Sequence, residues 1–270
     1  MNHTINKYIN NLKEIEVKYK LSASNDMLNN IDDIIKEFNE DLLDSTTPTI
    51  LLNTFGLLQA LFVGVDSLYN LVLSITKNKY YININQNKVM HELKFIRNDV
   101  VGHPTNRKYG KYGVGYSKID TENLSYHKLT YNTYIFRNGD LIENSRTINL
   151  DNLIRAYQNE KKIIYDQLTI YINSDYKNIN LSAEVYNLHL NLSIEKIEDI
   201  KNKFINIYGN YPKHRFMWRL ELLEIALKWE HENKYIKELI DHIKIIQSNK
   251  IYQISRNMEN KYVNTPRVKV

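Results

Sequence analysis

The residues of this sequence best suited to chemistry are Arg97, Asn98 and His103, which lie in the segment FIRNDVVGHPTNR. A histidine imidazole exchanges protons near neutral pH, so it suits general acid or base catalysis. An arginine guanidinium is permanently charged and presents a planar set of donors to the oxygens of an anion. The neighbouring asparagine adds an uncharged amide that can position either the anion or the histidine. Together these side chains suit proton transfer on an anionic substrate.

One helix end is expected to carry these residues. Periodic apolar residues predict an α-helix over about residues 87–102, and the Gly-His-Pro sequence that follows is typical of a helix terminus. In an α-helix, Arg97 and His103 would lie about 120° apart. Asp99 would lie one turn before His103 on the same side, where its carboxylate can orient the imidazole.

Several other kinds of site are excluded. The sequence has no GxxxxGK[ST] loop and no GxGxxG, and its lack of cysteine rules out disulfides, thiolate metal sites and a cysteine nucleophile. His91-Glu92 is not followed by a second histidine at position 95, which is Phe95. No pair of histidines has metal-ligand spacing with a supporting carboxylate, so we expect neither a metal nor another cofactor. The histidines are His3, His91, His103, His127, His189, His214, His231 and His242.

Charge is distributed unevenly along the chain, whose formal net charge is +5. Residues 1–44 contain five lysines and nine acidic residues, whereas residues 77–118 contain nine lysines or arginines and two acidic residues. A basic segment beside an acidic one indicates a local site for a polyanion. A solvated, lysine-rich loop would give the same composition, so charge alone does not separate the two explanations.

The sequence predicts a mainly α-helical protein with a small β-hairpin. Residues 1–45 have the pattern of two helices, and Thr47-Pro48 is typical of the start of a third, very apolar helix that runs to about residue 76. Alternating residues and the pair Asn138-Gly139 predict a hairpin over about residues 128–150, with no larger sheet.

The domain organisation follows from the next change of pattern. Helix is predicted again from Asp151, a polar stretch around residues 171–182 indicates a hinge, and three more helices are predicted over about residues 193–259. We therefore expect a helical domain over residues 1–175 and a separate C-terminal helical region, of unassigned role, over residues 182–270.

The expected location is the cytoplasm, because the first twenty residues lack the apolar core of a signal peptide. Residues 48–76 are long enough to span a bilayer, but Asn53, Gln59 and Asp66 interrupt them. An aspartate at mid-span costs roughly 2.5–3.5 kcal/mol on insertion scales. A core helix is therefore favoured over a membrane span.

The segment around Arg97 resembles the signature of the HEPN superfamily, in which an arginine is followed after four to six residues by a histidine. A polar residue often comes directly after the arginine, and Arg97, Asn98 and His103 match these positions. In HEPN proteins a long core helix precedes the signature helix and often carries a polar residue. Here that helix spans residues 48–76, and Asp66 or Gln59 can fill the polar position. The resemblance covers about residues 1–175 and implies a HEPN-like helical bundle.

The resemblance implies a metal-independent ribonuclease, of the kind found in toxin–antitoxin pairs and antiphage defence. His103 would transfer protons, Arg97 would stabilise the phosphorane oxygens, and Asn98 would position the phosphate, with Asp99 and Asp66 in support. The family's composite cleft between two protomers implies a homodimer. The side chains expected to contact single-stranded RNA are Lys94, Arg107, Lys108, Lys111 and, by stacking, Tyr109, Tyr112 or Tyr116.

Each of these residues also has an ordinary structural explanation. Arg97 can pair with Asp99 or Glu92, His103 can cap a helix C-terminus, and Asp66 can be a hydrogen-bonded core or interface group. A HEPN-like helical dimer that binds RNA or a partner protein without cleaving it is the alternative function.

The sequence departs from the family pattern at the position that a regulatory partner modifies. In HEPN toxins silenced by a nucleotidyltransferase, a tyrosine two residues after the histidine is modified, whereas this chain has Thr105 there. We therefore expect an antitoxin or regulatory protein of another kind, if the protein is a toxin.

Overall fold

The computed structural model of the chain describes residues 3–39, 45–79, 82–110, 113–137, 139–174, 180–208 and 214–260. These residues are mostly helical and include one small antiparallel sheet, so the predicted mainly α fold class is confirmed. The helices are α1 (His3–Asn10), α2 (Ile15–Asn39), α3 (Thr47–Ile75), α4 (Lys88–Arg97), α5 (Leu150–Asn173), α6 (Leu181–Leu190), α7 (Ile194–Tyr208), α8 (Arg215–Lys228) and α9 (Lys234–Glu259). A 3₁₀ turn (Ile84–Gln86) precedes α4, and a π-helical turn (Asn98–Gly102) follows it.

The chain forms two compact units. Unit 1 contains Met1–Leu71 and Asn83–Thr169, and unit 2 contains Val72–Ile82 and Ile170–Val270. Arg97, Asn98 and His103 all belong to unit 1.

Unit 1 is built around α2, α3, α4 and α5. Gly64 of α3 lies against the Tyr157 hydroxyl of α5 and the Ile31 side chain of α2, with no room for a side chain of its own. Because glycine lacks a Cβ, the three helices can approach closely at this point. Asn87, at the start of α4, donates to Glu160 of α5 at 2.7 Å. These contacts hold α4 in the same bundle as the apolar helix that precedes it.

The apolar helix α3 begins at Thr47, as the Thr47-Pro48 sequence predicts. Its inward residues, including Leu57, Leu61 and Leu68, are at most 1% exposed. By length and composition α3 could cross a membrane, and 39% of its most apolar stretch is buried inside the protein. Its other face is partly exposed, and Leu52 is 70% exposed.

The strands of unit 1 form a four-stranded antiparallel sheet in the order β1 (Arg107–Lys108), β2 (Val114–Ile119), β3 (Lys128–Arg137) and β4 (Asp140–Asn149). The β3–β4 hairpin was predicted, but the expectation that no larger sheet surrounds it was wrong. The glycines near β2 look like a flexible loop in sequence, yet Gly110 and Gly113 have φ of 60° and 101° and turn the chain so that β2 pairs with both neighbours. Asn138 of the predicted turn lies outside the described residues.

Unit 2 contains α6, α7, α8 and α9 around a separate apolar core. Phe204 of α7 and Phe216 of α8 stack at its centre with ring centroids 5.2 Å apart, and both are fully buried. The three helices predicted over residues 193–259 correspond to α7, α8 and α9. Helix α6, whose Asn180 side chain caps it by accepting from the Ala183 N–H, was not predicted.

Candidate active site

Helix α4 positions the motif through its buried face. The Asn87 side chain caps the helix by accepting from the Met90 N–H at 3.1 Å, and Met90, Leu93 and Ile96 are buried. This spacing leaves Arg97 and Asn98 half-buried at the end of the helix. The motif therefore stands where α4 emerges from the core.

The last turn of this helix is a π-turn, which the sequence did not reveal. The His103 N–H donates to the Asn98 carbonyl at 2.9 Å, five residues back instead of four. One turn therefore separates Asn98 from His103, and the two residues lie on the same side of the helix. The 120° separation expected between Arg97 and His103 assumed α-helical geometry throughout, so it does not describe this turn.

The Arg97 guanidinium is held by neutral groups. Its Nε donates to Gln59 Oε1 at 2.9 Å, and its Nη1 donates to Asn98 Oδ1 at 3.1 Å. The guanidinium carbon lies 4.7 Å from the centre of the Phe62 ring on α3. These contacts fix the orientation of the charge without neutralising it.

The carboxylates that could have paired with Arg97 have other partners. Asp99 pairs with Arg107, and Glu92 pairs with Arg146. Within the described part of the chain, Arg97 has no ion pair, so its positive charge is left for an anionic ligand. The structural explanation considered for Arg97, an ion pair with Asp99 or Glu92, is therefore wrong.

Of the two polar residues considered on α3, the structure brings Gln59 to the motif. Asp66 lies two turns further along the helix and is exposed, and no contact in the described residues joins it to Arg97, Asn98 or His103. Gln59 is thus the polar residue of α3 that supports Arg97. The supporting role expected for Asp66 is not observed.

Gly102 lies directly beside the Arg97 guanidinium. A Cβ built on Gly102 would overlap Arg97 Nη1 and approach Asn98 Oδ1 to 3.2 Å. In the sequence Gly102 looked only like a helix terminator, whereas in the structure its lack of a side chain provides the space that Arg97 occupies.

His103 ends the helix with an exposed side chain. Its φ and ψ are −142° and 49°, so the backbone leaves the helical path at this residue. Among the described residues the imidazole has no hydrogen-bond partner, and it is accessible to solvent. An exposed imidazole one turn after Asn98, whose side chain accepts from the Arg97 guanidinium, can transfer protons to and from a bound anion.

Asp99 does not orient His103, contrary to expectation. Its side chain is fully buried and accepts from the Tyr109 hydroxyl at 2.6 Å, from the Tyr131 hydroxyl at 3.1 Å and from Arg107. The prediction relied on α-helical spacing, and the carboxylate instead points towards the sheet. Asp99 therefore joins β1 and β3 to the motif turn.

Two residues expected to contact RNA form part of this joint. Arg107 is 12% exposed, donates to the Phe95 carbonyl at 2.8 Å, and lies 4.1 Å above the Phe95 ring. Burial, together with the hydrogen bond to Asp99, raises the pKa of Tyr109 to about 12. Both side chains hold β1 against the motif turn. Their contacts therefore indicate a structural role, and not the surface role in RNA binding that was expected.

The other expected RNA contacts are differently placed. Lys94 on α4, Lys108 on β1 and Tyr116 on β2 are exposed. Lys111 and Tyr112 lie outside the described residues. Neither Lys94 nor Lys108 has an ion pair among the described residues, so both ammonium groups can meet a phosphate.

A second set of contacts, centred on Arg146, connects the sheet to the motif helix α4. Arg146 of β4 pairs with Glu92 of α4, and its guanidinium carbon lies 5.3 Å from the centre of the Phe95 ring. Arg146 also donates to the Tyr131 hydroxyl at 3.4 Å. The sheet and the motif helix therefore form one continuous structure through Asp99, Glu92 and their partners.

Comparisons with known proteins find no match for this chain. No protein-family model, no curated protein and no solved structure matches it. The assignment of a function rests on the geometry around Arg97 and on the resemblance of its motif.

Proposed function

We propose that the protein is a HEPN-type, metal-independent endoribonuclease that cleaves single-stranded RNA, acting as a homodimer. The observation that carries the proposal is the Arg97 guanidinium, which Gln59 and Asn98 orient without an ion pair, with the exposed His103 one turn after Asn98. A charged group that is oriented but not neutralised is what stabilisation of a developing anion requires.

The proposed reaction is transesterification within the RNA. The 2′-oxygen attacks the adjacent phosphorus, and the bond from phosphorus to the 5′-oxygen of the next nucleotide breaks. The proton of the 2′-hydroxyl goes to a base, and the leaving 5′-oxygen receives a proton, which gives a 2′,3′-cyclic phosphate and a 5′-hydroxyl. His103 carries out proton transfer, and Arg97 stabilises the phosphorane oxygens.

The proposed dimer would supply a second motif to the same cleft. Each chain has one His103, whereas the reaction needs both removal and delivery of a proton. The partly exposed apolar face of α3, which also carries Gln59, is available to a second copy. That an antitoxin or other regulatory protein binds this chain stays a prediction. The cytoplasmic location also stays a prediction.

The proposal is tested by RNA cleavage in EDTA. We expect wild type to cut unstructured RNA and His103→Ala to be roughly 10²–10⁴-fold slower, the usual effect of removing a general acid or base. His91→Ala is the matched control, because His91 is an exposed histidine on the same helix outside the motif. A His103→Ala protein that cuts as fast as the His91→Ala protein would refute the proposal.

The end groups provide a second readout. A cyclic phosphate at the 3′ end of the upstream fragment would agree with the proposed reaction, and a 5′-phosphate on the downstream fragment would contradict it. If neither wild type nor variant cuts RNA, but both bind it, the non-catalytic HEPN-like dimer becomes the better description.

A further inference from the structure

The sheet has an outer face that the proposed chemistry does not use. In an antiparallel sheet, directly paired residues and alternate residues of one strand point to the same side. Tyr116 pairs with Tyr134, and Val114 pairs with Phe136, so these four residues share a face. Tyr131 and Thr133 point to the opposite side and are buried towards the motif helix.

The outer face carries aromatic rings in contact with solvent. Tyr116 is 46% exposed and Phe136 is 51% exposed, and their ring centroids lie 6.0 Å apart at an angle of 70°. Tyr134 is paired directly with Tyr116, lies two residues before Phe136 on β3, and is half-buried. Exposed aromatic rings grouped on one sheet face are characteristic of surfaces on which unpaired bases stack.

Three lysines lie on the same face as these rings. Lys108 pairs with Val114, Lys118 pairs with Asn132, and Lys128 pairs with Asn149, so the three side chains lie on the outer side of the sheet. All three are exposed and none has an ion pair among the described residues. Glu143, opposite Tyr134, is the one acidic strand residue on this face in the described chain. Asp120, directly after β2, interacts electrostatically with Lys128, so three lysines stand against two carboxylates here. The face therefore still has a net positive charge, as binding of a phosphodiester strand requires.

One edge of the sheet adjoins the residues that follow His103. Strand β1 begins four residues after His103, and the Ser117 N–H of β2 donates to the Pro104 carbonyl at 2.6 Å. A nucleic-acid strand bound along β1 and β2 therefore lies beside the residues that follow His103.

We propose that this outer sheet face, defined by Tyr116, Tyr134, Phe136, Lys108, Lys118 and Lys128, binds single-stranded RNA by base stacking and delivers it to the Arg97–His103 site. The choice of RNA as the polyanion rests on the proposed function. Stacking accepts any base, so the face contributes affinity and selects unpaired strands without reading a sequence.

The test is the affinity for a short, fluorescently labelled single-stranded RNA, measured by anisotropy in a His103→Ala background so that the probe stays intact. We expect Tyr116→Leu and Phe136→Leu each to weaken binding by roughly tenfold, since a leucine keeps the apolar surface but has no ring to stack on. Tyr116→Phe keeps the ring and is expected to bind as tightly as its parent. Tyr19→Leu is the control, because Tyr19 is 72% exposed on α2, away from the sheet.

The outcomes separate this inference from the proposed function. Leucine variants that bind RNA as tightly as Tyr19→Leu would overturn the inference, whether or not wild type cleaves RNA. Reduced binding by the leucine variants would support it even if wild type did not cut RNA. Equal affinity for a fully double-stranded RNA would also overturn it, because paired bases cannot stack on the rings. A change in oligomeric mass with unchanged RNA affinity would assign the face to a second copy of the chain instead.

Discussion

Arg97 is the residue on which the candidate site depends most, because its charge is oriented by an amide and not by a carboxylate. The hydrogen bond from its Nε to Gln59 crosses from α4 to α3. An acidic partner would hold the guanidinium equally well but would compete with a phosphate for its charge. Gln59 is thus a positioning residue, which acts through Arg97.

Replacement of Gln59 tests this at the scale of the residue. In Gln59→Leu the guanidinium loses one of its two orienting acceptors and keeps only Asn98. We expect kcat for RNA cleavage to fall by roughly 10–100-fold, since small misplacements of a catalytic group are costly. Gln59→Glu keeps the hydrogen bond but adds a negative charge, so it should also lower activity by neutralising Arg97.

Asp66→Leu is the matched control, because Asp66 lies on the same helix without a contact to the motif in the described residues. We expect it to leave cleavage nearly unchanged. Equal losses in the Gln59→Leu and Asp66→Leu proteins would show that α3, and not the Gln59 contact, limits the rate.

Which residues could do chemistry was visible from the sequence, but their contacts were not. Arg97 and His103 stand out by type and spacing. The partners of Asp99 were predicted incorrectly because the π-turn and the positions of Tyr109 and Tyr131 depend on tertiary packing. A spacing rule applies only while the helix keeps 3.6 residues per turn.

At the scale of elements, the buried joint around Asp99 connects the sheet to the motif turn. Asp99 is fully buried, and its partner Arg107 is 12% exposed. Asp99→Asn would leave the Arg107 charge buried without a counter-charge, so we expect the free energy of unfolding to fall by about 3–5 kcal/mol. Urea denaturation measures this loss. The control is Glu143→Gln on the exposed strand β4, for which the change in the free energy of unfolding should be within about 0.5 kcal/mol of zero. Similar stability of the two variants would show that the joint contributes little.

The same joint should weaken at alkaline pH. Tyr109 has an ordinary pKa of 10.0, and burial with the Asp99 hydrogen bond raises it to about 12. A pKa raised in the folded state means that the associated stability is fully present below pH 10.0 and is lost as the pH rises towards 12. We expect the free energy of unfolding to decline over that range, and to decline less steeply in Tyr109→Phe, which has no proton to lose there. Parallel curves for the two proteins would show that Tyr109 does not contribute to the decline.

How well the elements were predicted depended on the range of their interactions. Helix α3 is predicted from local sequence, because Thr47-Pro48 is typical of a helix start and a long apolar run follows. The β3–β4 hairpin is likewise predicted from the residues of its turn. Strands β1 and β2 are short, glycine-rich at their ends and paired with distant residues, so their local sequence resembles a loop. Helix α6 was missed for a similar reason, since it follows a polar stretch that masks its start.

At the scale of the whole molecule, the question is what covers the partly exposed face of α3. Only 39% of the most apolar stretch of α3 is buried inside the protein, and Leu52 on this helix is 70% exposed. A continuous apolar surface in water, unlike a single exposed residue, is unfavourable and marks an interaction surface. A second copy of the chain would cover this face, and the proposed composite cleft requires one.

Charge placed on this face tests for the dimer. We expect Leu52→Glu to convert a dimer into monomers in analytical ultracentrifugation and to reduce RNA cleavage with it, because an interface of standard size, about 800 Å² per partner, cannot easily bury an unpaired carboxylate. Ile15→Glu is the matched control, since Ile15 is also an aliphatic residue with 70% exposure in unit 1. A Leu52→Glu protein with unchanged mass would place the dimer elsewhere. Wild type that stays in solution only with detergent would indicate that lipid, and not a second copy, covers α3.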